Sequence, residues 1–328
     1  MNKTKLYLIL LIVAVIVAAF SYRQYKVFRT PVTESGNEEI QELLSSGSRE
    51  VEVTNGVLHS IPLDEIITGN PVKDAIPSID DPEFESVVAA DQYLDDVGYG
   101  LVVEVNGRYR FYPYQILVWH EIVNETFQGT DLLVTYCPLC FTGIVFERTV
   151  RNLVVEFGTS GKLWNSNLLM YDRQSDSLWS QALGEAVVGE LTGTELELYP
   201  SLTISWSDFK SSYASGEVLS RDTGFSRDYT QDPYEPRGYY ESSDIWFPLS
   251  NEDTRLHAKT IVFGYQSSES FKAYPADEIE QVGLTNDQVG DTPVLIVWDS
   301  NISTVRGFSR QVGSEVLTFT QGDDFLID

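Results

Sequence analysis

The two cysteines of the 328-residue chain lie three positions apart, at Cys137 and Cys140, inside the apolar stretch LLVTYCPLCFTGIVF. Thiols at this C-x-x-C spacing have three chemical uses. As a disulfide they would close so short a loop that the fold gains only about 2 kcal/mol in the chain-entropy account. The same spacing serves thiol–disulfide exchange and the binding of soft metal ions. The spacing alone leaves these three uses open.

His120 is the expected third ligand if the pair binds a metal. The sequence WHEIVNE predicts a helix on which His120 and Asn124 share one face while Glu121 points elsewhere. The motif lacks the second histidine of the zinc proteases, so that chemistry is not expected. Met170 is the candidate fourth ligand, and a thioether would favour copper over zinc. The alternatives are a histidine bonded to a backbone group and a methionine that fills the core.

A second candidate site lies in the polar stretch LSRDTGFSRDYTQDPY. It repeats an Arg-Asp pair, at Arg221-Asp222 and Arg227-Asp228, and predicts either a small ion site or loop charges that pair with each other. The spacing of a calcium loop is absent. GTSGKLWN lacks the spacing of a phosphate loop, and no dinucleotide fingerprint occurs, so no nucleotide cofactor is expected.

The elements around these residues predict a mainly β fold with a few short helices. In GLVVEVNGRYRFYP, apolar and polar residues alternate on both sides of Asn106-Gly107, which is the pattern of a β-hairpin. YQILVWHEIVNETF has the apolar spacing of a short helix. The stretches LLVTY and FTGIVF, on either side of the cysteines, predict strands. A helix N-terminus is therefore not expected to activate the thiols.

An internal repeat appears when the chain is shifted by 162 positions. Tyr112-Pro113 then falls on Tyr274-Pro275, and Asn124 falls on Asn286. This predicts two related β-rich halves: a module over residues 69–255 with the C-x-x-C site, and a truncated second copy over 256–328. In the second copy Asp299 and Ile302 replace the cysteines and Val282 replaces His120. The repeat thus predicts a fold that forms without the thiols.

The N-terminus predicts a membrane attachment. Leu6 to Tyr22 is an uncharged apolar stretch with basic residues on both sides, which makes residues 1–29 a signal anchor or a cleaved signal peptide. Residues 30–68 form an expected polar spacer. The membrane is then a partner through this helix, and the body is expected outside the cytoplasm. The net charge of −27 argues against nucleic-acid binding.

Seven motifs occur in an order that resembles the bacterial and archaeal family catalogued as domain of unknown function 3179: GNPVKDAIPSIDDPEF, VEVNGRYRFYP, WHEIVNE, VTYCPLC, FGTSGKLWNSNLLMYDR, SLWSQALGEAVVGELTGTELE and LSRDTGFSRDYTQDPY. The resemblance covers about residues 69–280. It implies an exported or membrane-anchored β-rich protein with no assigned activity, and a site at the cysteine pair, WHEIVNE, SGKLWNSNLLMYD and the Arg-Asp loop. Phe141 departs from the small residue expected after the pair and narrows access to the thiols.

Three functions follow from the sequence. The first is binding of copper or zinc by Cys137, Cys140 and His120, because all three residues are lost together in the second copy. The second is a thiol–disulfide oxidoreductase in which Cys137 attacks, Cys140 resolves and His120 lowers the thiol pKa. The third is a non-catalytic β scaffold for a protein partner whose identity the sequence does not give.

Overall fold

Antiparallel sheets make up most of the computed structural model, which describes residues 49–267 and 270–322 and the backbone of 326–327. Up to residue 219 its elements are β1 (Glu52–Thr54), β2 (Val57–His59), β3 (Ile67–Thr68), β4 (Phe84–Ser86), α1 (Val87–Ala90), β5 (Tyr99–Val105), β6 (Arg108–Pro113), α2 (Tyr114–Leu117), β7 (Ile122–Phe127), β8 (Thr130–Cys137), β9 (Thr142–Glu147), β10 (Thr149–Val150), β11 (Leu153–Val154), β12 (Phe157–Trp164), β13 (Asn167–Asp172), β14 (Leu178–Ser180), β15 (Glu185–Val188), β16 (Leu198–Tyr199), β17 (Ser201–Ser205), α3 (Trp206–Ser212) and β18 (Glu217–Leu219). The expected mainly β fold with short helices is confirmed.

The remaining elements follow a long connection that contains one 3-10 turn, Glu235–Arg237. They are β19 (Val262–Ser267), β20 (Ser270–Pro275), α4 (Ala276–Val282), β21 (Leu284–Val289), β22 (Thr292–Asp299), β23 (Thr304–Ser309), β24 (Gln311–Val312), β25 (Glu315–Val316), β26 (Thr320–Gln321) and β27 (Leu326–Ile327). A second 3-10 turn, Leu63–Glu65, lies between β2 and β3.

Three larger sheets carry the body of the fold. Their strand orders are β1-β2-β15-β14-β13-β12-β3, β16-β9-β8-β7 and β17-β5-β6-β18-β4. Neighbouring strands are antiparallel except for the parallel pair β6 and β18. The predicted hairpin at Asn106-Gly107 is confirmed, because β5 and β6 pair from Gly100↔Pro113 to Val105↔Arg108.

The four-stranded sheet packs on both of its faces, and this places the cysteines. Successive side chains of a strand point to opposite faces. Leu132 and Val134 of β8 join the core that contains residues of β5 and β6, whereas Leu133 and Cys137 join the core that contains Met170 of β13. Cys137 is therefore a core residue at the end of a buried strand.

The helix predicted over YQILVWHEIVNETF is wrong beyond its first turn. Helix α2 ends at Leu117, and β7 begins at Ile122 and pairs along β8 from Ile122↔Thr135 to Phe127↔Thr130. Glu121 has a φ of 60°, which ends any helical continuation. The β-branched residues that follow suit a strand with two buried faces, so tertiary pairing overrides the helical spacing.

Part of the segment expected to be a polar spacer is folded. Strands β1, β2 and β3, all within residues 52–68, belong to the seven-stranded sheet. The expected signal anchor over 1–29 and the rest of the spacer up to residue 48 lie outside the described residues. In the part of the chain that the structure describes, no helix is long and apolar enough to cross a membrane.

Two parts of the chain, residues 100–158 and 262–320, have the same elements in the same order. Strands β6 to β11 correspond one by one to β20 to β25, each pair at an offset of 162 residues. The same side-chain bonds recur. Asn124 Oδ1 accepts from the Phe157 N–H at 2.9 Å, and Asn286 Oδ1 accepts from the Phe319 N–H at 2.9 Å. The offset seen in the sequence is thus also an offset in structure.

Candidate functional site

The cysteines lie at the turn of the hairpin formed by β8 and β9. Cys137 ends β8, and the Cys140 N–H donates to the Cys137 carbonyl at 3.3 Å. Phe141 follows with a φ of 50° and leads into β9. The equivalent turn of β22 and β23 has the same bond, from Ile302 N–H to the Asp299 carbonyl at 3.3 Å. The turn therefore forms without thiols, as the sequence predicted.

Cys140 has an activated sulfur in a residue that is exposed at the turn. Its Sγ accepts hydrogen bonds from the Cys137 thiol and from Asn167 Nδ2, the latter at 3.1 Å. The bond from Cys137 contributes most to lowering the pKa of Cys140 to about 7, and bonds from Thr142 and Asn167 act in the same direction. Partial removal from water opposes them. Cys140 therefore ionises more readily than an ordinary cysteine.

Asn167 is held in the orientation that lets it donate to this sulfur. Its Oδ1 accepts from the Ala182 N–H at 3.0 Å, and a backbone N–H can only donate. Its Nδ2 consequently faces the other way, where it donates to Cys140 and to Gln181 Oε1 at 2.8 Å. Gln181 is itself fixed, since its Nε2 donates to Thr135 Oγ1 at 3.0 Å.

Cys137 has the opposite environment. It is 1% exposed and lies in an apolar cluster with Leu168 and Met170. Burial raises the pKa of Cys137 well above its ordinary value, and its hydrogen bond to Cys140 and the charges of Cys140 and Glu121 raise it further. The two thiols thus differ sharply: one belongs to an exposed residue and ionises readily, and the other is buried and protonated.

Glu121 lies beside the pair in a strained conformation. Its carbonyl accepts from the Tyr136 N–H at 2.7 Å, one residue before Cys137. The residue is 7% exposed, and burial, followed by the charge on Cys140, raises the pKa of Glu121 to about 8. A positive φ is uncommon for a residue with a Cβ atom. The sequence offered Glu121 as a site candidate on a helix, pointing away from the face that His120 and Asn124 were expected to share.

His120 has hydrogen-bond partners other than the cysteines at both ring nitrogens. Its Nδ1 lies 2.7 Å from the Pro77 carbonyl, and its Nε2 lies 2.7 Å from the Tyr229 hydroxyl. Both ring nitrogens therefore have protein partners. Burial, aided by the nearby charge of Arg227, lowers the pKa of His120 below its ordinary value, although the bond to Pro77 opposes this. His120 is a buried, neutral anchor.

Two other predicted site residues, Asn124 and Met170, have structural roles. Asn124 lies in β7, and its Nδ2 donates to the Phe157 carbonyl at 2.8 Å and to Asp80 at 2.7 Å. Asn286 Nδ2 likewise donates to the Phe319 carbonyl, and Asn286 Oδ1 accepts from the Phe319 N–H, so these bonds do not depend on the thiols. Met170 fills the apolar cluster around Cys137, which is the structural role that the sequence left open for it.

The long connection between β18 and β19, residues 220–261, passes over the cysteine turn; we call it the strap. The Tyr239 hydroxyl donates to the Leu139 carbonyl at 2.6 Å, inside the turn. Burial and the charges of both cysteines raise the pKa of Tyr239 to about 12. Burial also raises the pKa of Tyr234, followed by the charges of Glu121 and Cys137. Phenols of the strap thus shield the buried side of the pair.

The predicted Arg-Asp loop lies in the first part of the strap. Arg221, Asp222, Arg227 and Asp228 line an open depression of about 500 Å³. The Arg221 guanidinium stacks on the Tyr93 ring, 3.6 Å from its centroid. Neither cysteine is among the residues that line this depression.

The residues that complete the thiol site were not singled out from the sequence. Asn167 lies in the SGKLWNSNLLMYD segment that the family resemblance pointed to, but nothing in its spacing gave it a role. Gln181 and Tyr239 carried no signal. Among the described residues, no three His, Cys, Asp or Glu side chains are placed to hold one metal ion.

Fold and site together define a layered antiparallel β protein with a dithiol at the end of a buried hairpin. The family model described as protein of unknown function (DUF3179) matches residues 73–328, and the chain belongs to that family. The match extends through the second set of strands, beyond the region in which the sequence showed the resemblance. No curated protein and no solved structure gives a significant match.

Proposed function

We propose that this protein carries out thiol–disulfide exchange, with Cys140 as the attacking thiol and Cys137 as the resolving thiol. The observation that carries the proposal is the sulfur of the exposed residue Cys140, which accepts hydrogen bonds from Cys137 and Asn167. Only a thiolate attacks a disulfide, and the optimum attacking thiol has a pKa near the ambient pH. The roles are the reverse of those expected from the sequence, because Cys137 is buried and protonated.

The exchange balances in two steps. The Cys140 thiolate attacks one sulfur of a partner disulfide, which forms a mixed disulfide and releases the partner's other sulfur as a thiolate. Cys137 then loses its proton and attacks Cys140 Sγ, which forms the Cys137–Cys140 disulfide and releases the second partner thiolate. The pair loses two electrons, and the partner gains two.

The copper or zinc ion expected from the sequence is not part of this proposal. Both nitrogens of His120 bond to protein groups, and Met170 packs in the core. The pair itself offers two sulfurs of unlike ionisation, which suits successive attack and resolution better than joint ligation by two thiolates.

Two further parts of the proposal rest on the sequence as well. The apolar stretch Leu6 to Tyr22 supports a body tethered outside the cytoplasm, in a compartment where disulfides persist. The constant offset between residues 100–158 and 262–320 supports an internal duplication. The second set of strands then serves as a related body without the thiol chemistry.

Trapping of the mixed disulfide tests the proposal. Cys137→Ser is expected to accumulate a stable mixed disulfide on Cys140 when it meets a small disulfide such as dithiobis(nitrobenzoate), since nothing resolves it. The matched variant Cys140→Ser is expected to react slowly and to trap little, because Cys137 is buried. Equal trapping by both variants, or preferential labelling of Cys137, would overturn the assignment. Stoichiometric zinc or copper that Cys137→Ser releases would instead favour the metal site.

A further inference from the structure

Gln181 is a fully buried glutamine, and both polar atoms of its amide have partners inside the fold. It follows β14 directly and is 0% exposed. Its Oε1 accepts from Asn167 Nδ2 at 2.8 Å, and its Nε2 donates to Thr135 Oγ1 at 3.0 Å and to the Thr142 carbonyl at 3.1 Å. Glutamine is mostly an exposed residue, and a buried amide destabilises a fold unless it is hydrogen-bonded. These bonds therefore offset the burial of Gln181.

The direction of the bonds follows from two backbone groups. The Thr142 carbonyl can only accept, so Nε2 of Gln181 faces it and Oε1 faces Asn167. The Ala182 N–H can only donate, so Oδ1 of Asn167 faces it and Nδ2 faces the other way. The two side-chain amides are thus each oriented by the backbone, and an N–H of Asn167 is directed at Cys140.

Gln181 and Ala182 hold the two ends of the Asn167 amide. The Ala182 N–H donates to Oδ1 at 3.0 Å, and Gln181 Oε1 accepts one of the two Nδ2 hydrogens. The other hydrogen is left for Cys140 Sγ, which lies 3.1 Å from Nδ2. A planar amide that is bonded at both ends cannot turn about its Cβ–Cγ bond without breaking one of these bonds. The donor is therefore held against the sulfur before a partner disulfide arrives.

The hairpin that carries the thiols does not need this network in order to form. At the offset of 162 residues, Val297 replaces Thr135 and Ile302 replaces Cys140. Strand β22 nevertheless pairs along β23 as β8 pairs along β9. The buried hydroxyl of Thr135 is thus present where the thiol is present, and an apolar residue serves where the thiol is absent. A fully connected polar network has one arrangement of its members, which suits the positioning of one reactive atom.

We propose, on the basis of the thiol-exchange function, that Gln181 is a positioning residue that holds the Asn167 amide in place as a hydrogen-bond donor to Cys140 Sγ. Thr135 supports Gln181 from the opposite side. A hydrogen bond to the charged form of a group favours that form, so the held donor stabilises the attacking Cys140 thiolate. In the reverse direction the second partner thiolate attacks the partner sulfur of the mixed disulfide, and the same donor stabilises Cys140 as the leaving thiolate.

A double-mutant cycle on the ionisation of Cys140 tests this role. Gln181→Met removes the amide at about the same side-chain size, and Asn167→Leu removes the donor itself. The measured quantity is the midpoint of the pH dependence of Cys140 alkylation by iodoacetamide in the reduced protein. We expect Gln181→Met to raise this midpoint by about 0.5 unit, a threefold change in the ionisation equilibrium, because the bond from Asn167 weakens. In the Asn167→Leu background we expect no further rise, because Gln181 acts through Asn167.

Thr135→Val is a second variant, and it introduces the residue with which the equivalent strand β22 forms, Val297. We expect it to raise the midpoint by less than Gln181→Met does, and again only while Asn167 is present. Gln92→Met, the same substitution at an exposed glutamine, is the matched control. An unchanged midpoint in Gln181→Met, or an equal rise with and without Asn167, would overturn the role of Gln181. If Gln181→Met does not fold, Thr135→Val decides by the same criteria.

Failure of the exchange function gives a different result. If Cys137→Ser traps no mixed disulfide on Cys140 while the midpoint still depends on Gln181 through Asn167, the exchange function is refuted and the positioning of the Cys140 sulfur stands. If the mixed disulfide is trapped but the midpoint does not respond to Gln181, the exchange function stands and the positioning role is refuted.

Discussion

The buried carboxyl group of Glu121 makes the stability of the fold depend on pH in a direction that can be calculated. The folded pKa is about 8, whereas the ordinary value is 4.5, so between these values the folded state holds a proton that the unfolded state has lost. Stability from this group is complete below about pH 4.5 and falls as the pH rises towards 8. The loss between pH 5 and pH 7 amounts to about 2.5 kcal/mol at 1.36 kcal/mol per pH unit.

Glu121→Gln isolates this contribution, because the amide does not titrate. The variant keeps every other ionisable group, so the change with pH in the difference in unfolding free energy between the variant and the unaltered protein comes mainly from Glu121. We expect this difference to shift in favour of the glutamine variant by about 2.5 kcal/mol from pH 5 to pH 7. Urea denaturation followed by tryptophan fluorescence at several pH values measures it.

The control and the refuting result are equally direct. Glu197→Gln, the same substitution at an exposed position, serves as the matched control. A flat difference for Glu121→Gln would show that its carboxyl ionises in the folded state as it does in the unfolded state. The carboxyl would then be hydrated or paired in the folded state.

Three further predictions follow from the site and its supports. Asn167→Leu removes a donor to the Cys140 sulfur and should raise the Cys140 pKa by about one unit, measured from the pH dependence of alkylation by iodoacetamide. The contribution of His120 to stability should fall on acidification below about pH 6.5, opposite to that of Glu121, because the unfolded chain protonates His120 and the folded one resists. Tyr229→Phe, which removes a partner of His120, should cost about 1–3 kcal/mol and speed proteolysis of the strap. A reporter fused after residue 328 should be active only outside the cytoplasm, and activity inside would refute the predicted topology.

Much of the fold was predictable because local chemistry and tertiary pairing agree there. Asn106-Gly107 favours a two-residue hairpin loop whatever surrounds it, and the alternating runs beside it form β5 and β6. The offset of 162 residues was visible because structural residues such as Asn124 and Asn286 make the same bonds in both sets of strands. The sequence also showed that the second set of strands keeps these bonds without the two cysteines.

The composition of the site was less predictable, because it depends on where the chain turns. Apolar residues spaced as on a helix predicted a helix through His120, but a left-handed turn at Glu121 ends the helix, and the His120 ring bonds to Tyr229. A single sequence contains no pattern that would predict a positive φ at a glutamate. Asn167 reaches Cys140 from another sheet, through contacts that no local pattern records.

The ionisation of Cys140 tests the central claim most directly. Alkylation of the reduced protein by iodoacetamide, followed across pH with the labelled residue identified by peptide mass spectrometry, reports which thiol reacts and at what pKa. The structure predicts that Cys140 is labelled first, with a midpoint near its pKa of about 7. Labelling of Cys137 first, or a midpoint at or above the ordinary thiol value of about 8.5, would contradict Cys140 as the attacking thiol.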